Sequence, residues 1–67
     1  MNAAAKKQIL QEEARRLELS DKGSARQLEL RIIDWYDESI MFCNVAQNFT
    51  ESENLKNEKA ALLARLT

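Results

Sequence analysis

Two sets of side chains in this sequence are of types that could do chemistry. Asp34, Asp37 and Glu38 stand at i, i+3 and i+4, which brings three carboxylates to neighbouring turns of one helix. Carboxylates gathered this way can hold Mg²⁺ or divide into acid and base. A phosphate-ester or nucleotide hydrolase built from the acids of several helices would use such a set. Cys43 is the only thiol and the one candidate nucleophile or redox sensor. Neither set has the companions its chemistry needs. The chain has no histidine, the most common general base and a common zinc ligand. No cationic residue stands near Cys43 in sequence to stabilise a thiolate, so the thiol reads as a small buried apolar group beside Phe42 and Val45. The three acids fall on the less apolar side of their helix, where solvated acids belong. The residues therefore predict a protein that is not an enzyme and uses no metal or cofactor.

A third set is basic. Lys6, Lys7, Arg15, Arg16, Lys22 and Arg26 gather in the first part of the chain, but Glu12, Glu13, Glu18 and Asp21 are interleaved with them and cancel most of their field. Ten basic and eleven acidic residues leave a net charge of −1. By segment the charge is +1 over residues 1–23, −2 over 24–49 and 0 over 50–67. A small helical dimer that binds structured RNA or DNA through Lys7, Arg15, Arg16, Lys22 and Arg26 is the alternative reading, and nothing resembles a helix-turn-helix. Membrane association is not expected, because no apolar run approaches the ~18 residues of a span. The first helix also lacks the wide apolar face of an interfacial helix. The start of the chain does not read as a signal peptide, and the expected setting is cytoplasmic, with Cys43 reduced.

The elements that must position these groups are helical. There is no proline, and Gly23 is the only glycine, a composition free of breakers inside elements. The pattern predicts helix 1 over about 3–19, with Asn2 as N-cap, an Ala3, Leu10, Ala14 and Leu17 stripe, and a supporting Glu12–Arg16 pair. A turn follows at 20–23. Ser24 and Gln27 form a capping box that opens helix 2, over about 25–48. A second box, Thr50 with Glu53, opens helix 3 over about 51–66. Fusion of helices 2 and 3 into one bent helix is the alternative, because no glycine or proline separates them. The expected fold is all-α, one domain over 1–67, a helical hairpin or three-helix bundle with a long central helix.

Helix 2 carries more apolar surface than the rest of a 67-residue chain can cover. Leu28, Ile32, Ile33, Trp35, Tyr36, Ile40, Phe42, Cys43, Ala46 and Phe49 spread over roughly 200° of helix, about twice an ordinary core-facing stripe. A chain this short seldom stabilises itself on one core, and a single cysteine allows no internal disulfide. Oligomerisation is the remaining route. Ile32, Ser39 and Ala46 run along the middle of the arc, and the small residues would let a second helix approach closely. A twofold homodimer is expected through Leu28, Ile32, Trp35, Tyr36, Ser39, Phe42 and Ala46. On the outer side, Leu30, Met41 and Val45 are mixed with Asp34 and Asp37, a combination suited to docking a second, unidentified protein. Arg31 is placed to stack on Trp35. These features predict a small non-enzymatic interaction module: a regulator, inhibitor or chaperone that occupies another protein's surface. Compact regulators of this kind are frequent in phages and other mobile elements, an association of class and not of residues.

Overall fold

A computed structural model describes residues 1–67 as three helices and no strand: α1 (Ala3–Arg16), α2 (Ala25–Val45) and α3 (Phe49–Arg65). Two of the expected starts are present. Asn2 Oδ1 accepts the Ala5 N–H at 2.8 Å. At the head of α2, Ser24 N–H donates to Gln27 Oε1 at 2.8 Å and Gln27 N–H to Ser24 Oγ at 3.2 Å. Gly23 makes room for that box. Its φ is +109°, and a Cβ there would lie 2.6 Å from the Gln27 oxygen that accepts the bond.

The helix ends differ from the periodicity reading, and both differ for the same reason. Helix α1 stops at Arg16, not Leu19, and α2 stops at Val45, not Asn48. After α1, Leu19 N–H donates to the Ala14 carbonyl at 2.8 Å and Glu18 N–H to the Arg15 carbonyl at 3.1 Å. After α2, Asn48 N–H donates to the Cys43 carbonyl at 2.8 Å and Gln47 N–H to the Asn44 carbonyl at 3.1 Å. Both are Schellman endings, which satisfy helix-terminal carbonyls by turning one residue into the left-handed region. Glycine usually takes that position. Here Glu18 at φ 60° and Gln47 at φ 59° take it instead, so neither ending is marked by composition.

Helices 2 and 3 are separate, and the box expected at Thr50 is replaced by Asn48. Its Oδ1 accepts the Glu51 N–H at 3.3 Å, and its carbonyl accepts the Ser52 N–H at 3.1 Å. Asn48 thus closes one helix with its amide and opens the next with its side chain, and Thr50 falls inside the first turn of α3. The Glu12–Arg16 pair is likewise replaced: Arg16 Nη2 and Nε reach Glu13 at 2.5 and 3.2 Å.

The chain groups into two compact units, Met1–Ile32 with Leu66, and Ile33–Arg65 with Thr67. In the first, Leu10, Ala14, Leu28 and Ile32 are completely buried. Glu13 is also buried, its carboxylate held by the Arg16 fork. The connection between α1 and α2 is strapped to both helices. Arg31 Nη1 donates to the carbonyls of Ser20 at 2.7 Å and Lys22 at 2.8 Å. Arg15 Nε donates to Asp21 Oδ2 at 2.8 Å, and Gln11 Nε2 to the Asp21 carbonyl at 3.4 Å. Arg31 is thus engaged with the turn, away from the stacking role expected on Trp35. In the second unit, Tyr36, Ser52, Leu55 and Leu62 are buried. Trp35 meets Tyr36 edge to face at 5.1 Å, and Lys59 Nζ donates to Asp37 Oδ1 at 2.6 Å.

Candidate functional site

The broad apolar arc of α2 is divided across its length. Leu28 and Ile32 at its N-terminal end are 0% exposed, and Tyr36 is 1% exposed. One turn further on, Ser39, Ile40 and Cys43 are half-buried. At the C-terminal end Met41, Phe42 and Val45 are 62%, 73% and 80% exposed, and Phe49 at the start of α3 is 63% exposed. Sequence periodicity predicts that part of this arc is left uncovered. The structure closes one end and leaves the other open.

That division sorts the expected interface residues. Leu28, Ile32 and Tyr36, read as subunit contacts, are enclosed within one chain and present no surface to another copy. They are large apolar groups on the inner face, and the chain's own burial takes them up first. Trp35 and Ser39 remain half-buried, while Phe42 and Ala46 are exposed. Of the outer-side residues, Leu30 is 51% exposed and belongs to the first unit, whereas Asp34, Asp37, Met41 and Val45 are exposed in the second.

A shallow groove of about 530 Å³ lies within the second unit, lined by Trp35, Glu38, Ser39, Phe42 and Cys43 of α2 and by Glu51 and Leu55 of α3. The two helices supply it because Asn48 reverses the chain between Cys43 and Glu51. Trp35, Phe42, Cys43 and Leu55 give it a mainly apolar lining. Its charged residues are two glutamates, and neither carboxylate has an ion-pair partner. The sequence pattern does not mark Glu51 or Leu55 for binding, and it marks Glu38 and Cys43 only for metal, acid–base or thiol chemistry. A signal for the acids was present: between Arg31 and Lys56 the chain has Asp34, Asp37, Glu38, Glu51 and Glu53, and no lysine or arginine.

The groups with chemical potential are placed as follows. Asp37 is bound to Lys59, while Asp34 and Glu38 are exposed. No three His, Cys, Asp or Glu side chains are grouped to hold a metal ion. Cys43 is a free, half-buried thiol on the groove wall. Among the basic residues, Arg15 and Lys22 approach Asp21 at 2.8 and 3.7 Å, Arg16 is paired with Glu13, and Lys6 with Glu29 at 3.4 Å. The Arg15 hydrogen bond, followed by the positive charges of Lys22 and Arg15, holds the Asp21 carboxyl below its usual range. Lys7 and Arg26 are exposed without an acidic partner. No helix is long and apolar enough to cross a membrane. No protein-family model matches the chain, and no curated protein or solved structure is significantly similar to it.

Proposed function

We propose that this protein is a non-enzymatic interaction module that works as a regulator, inhibitor or chaperone by occupying the surface of another protein. The working surface is the open end of the α2 arc. The observation that carries this reading is the exposure of Met41, Phe42, Val45 and Phe49 in one unit, with Phe42 lining its groove. Scattered exposed apolar residues are ordinary. Four large ones close together in sequence, one of them lining a concave surface, are the composition of a docking face. Covering each would contribute about 1.5–3 kcal/mol at most, a sum of the same order as the entropic cost of association. The proposed setting is cytoplasmic, where Cys43 stays reduced.

A homodimer is the second reading, favoured by the exposure of Phe42 and Ala46. With Leu28, Ile32 and Tyr36 enclosed, it would rest on Trp35, Ser39, Phe42 and Ala46, and so compete for the same face.

A photo-crosslinking residue at Val45, compared with one at the exposed Glu12 of the first unit, tests the proposal in cells. The expected result is one or a few discrete heterologous adducts from position 45, absent from position 12 and lost when Phe42→Ser is added. Adducts only with the protein itself, or the same adducts from both positions, would overturn it.

A further inference from the structure

Resting on that reading, we infer that the groove of the second unit takes a basic amphipathic helix of another protein, with apolar side chains on the groove floor and lysine or arginine at Glu38 and Glu51.

Charge and shape lead to this occupant together. The groove is open, mainly apolar in lining, and contributed by both α2 and α3. That is the form in which an amphipathic helix is received, its anchors spaced at i, i+3 or i+4 and i+7. The charge on the walls is of one sign. Glu38 and Glu51 are exposed and unpaired, and Asp34 one turn before Glu38 is exposed and unpaired as well. The bases of the same unit do not line the groove: Lys59 is held by Asp37 at 2.6 Å, Lys56 lies 4.0 Å from Glu53, and Arg65 stands at the last residue of α3, ten positions beyond Leu55. An incoming apolar surface therefore meets two exposed carboxylates in the lining and no lysine or arginine there. A partner with cations flanking its apolar stripe satisfies both features, and such rim charges set encounter rate and choice of partner.

The same observation separates this occupant from others. A second copy presenting this face would bring its own Glu38 and Glu51 into a rim that is already acidic. Like charges so placed are costly. Nucleic acid and anionic lipid are repelled by the same carboxylates.

The test uses the whole protein and two synthetic helical peptides of about 18 residues, long enough to hold helix. They share one leucine and phenylalanine stripe and differ only in lysine or glutamate flanks. Trp35, the only tryptophan and part of the groove wall, reports binding by fluorescence. The lysine peptide is expected to bind at least about tenfold more tightly, with the preference shrinking as salt rises. Glu38→Gln with Glu51→Gln, both at exposed positions, should remove the preference while helicity stays unchanged. Phe42→Ser should weaken both peptides alike.

Equal binding of the two peptides would overturn the basic partner and leave the docking face in place. A preference that survives the double glutamine variant would overturn the role of Glu38 and Glu51. Absence of any binding would overturn this inference, and, with mass rising to a dimer, the functional reading on which it rests as well.

Discussion

The two units solve the same local problem and end in opposite states. Each contains a helix that terminates in a Schellman motif on a non-glycine residue, Glu18 in one and Gln47 in the other. In the first unit the connection that follows is bound down by Arg31, Arg15 and Gln11, and Leu10, Ala14, Leu28 and Ile32 are enclosed while Leu30 stays exposed. Its one buried charge, Glu13, is matched by a guanidinium. In the second unit the connection is only Ala46 to Asn48, capped by a single asparagine side chain. The apolar residues beside it are exposed, and the buried Ser52 hydroxyl has no hydrogen-bond partner. A helix end is thus independent of whether the faces it joins are covered. The second unit buries Tyr36, Leu55 and Leu62 yet leaves Met41, Phe42, Val45 and Phe49 exposed, four large apolar residues where the first unit exposes Leu30 and Met1.

The largest expected effects break this contrast directly. Leu28→Ala should cost about 2–5 kcal/mol, because it opens a cavity in a closed core. Phe42→Ala, a larger truncation, should change the stability of the free protein by no more than about 0.5 kcal/mol, because its side chain is already in water. Chemical denaturation of both variants checks the pair, and similar losses would mean that Phe42 is covered. Arg31→Leu removes two hydrogen bonds that hold the first connection and should cost about 1–2 kcal/mol. Hydrogen exchange should locate the loss at residues 17–24. Ser52→Ala should gain about 1 kcal/mol in thermal unfolding, because it removes a buried hydroxyl that bonds to nothing.

The smallest effect concerns Asp21, whose carboxyl is held below its usual range chiefly by the Arg15 hydrogen bond. A carboxyl so lowered adds stability that is complete above the ordinary aspartate range near about pH 4. That stability is lost as pH falls through the folded-state value. Unfolding of Asp21→Asn beside the parent protein should show a small deficit at neutral pH that closes under acid. A deficit that persists in strong acid would assign the effect to something other than charge.

The parts legible in the sequence are those written in side-chain chemistry at fixed spacing. Asn2 and the Ser24–Gln27 box announce helix starts, and the absence of proline with one glycine announces an all-helical chain. The ends of α1 and α2 are silent, since Glu18 and Gln47 carry no preference for the left-handed conformation they adopt. The candidate site is half legible. Periodicity identifies an arc too wide for one core, but Leu28 and Phe42 look alike on it. Only packing decides which is enclosed, and packing depends on residues distant in sequence. Glu51 and Leu55 reach the groove because Asn48 turns the chain, and the helix periodicity of α2 contains no trace of that.

The most direct test of the account is absolute mass by light scattering behind a sizing column, over a wide range of loading concentrations. An open face with an acidic rim, reserved for a partner of opposite charge, predicts a monomer of 7.7 kDa throughout. A constant mass of about twice that value, abolished by Phe42→Ser, would contradict it and assign the open end of α2 to a second copy of the chain.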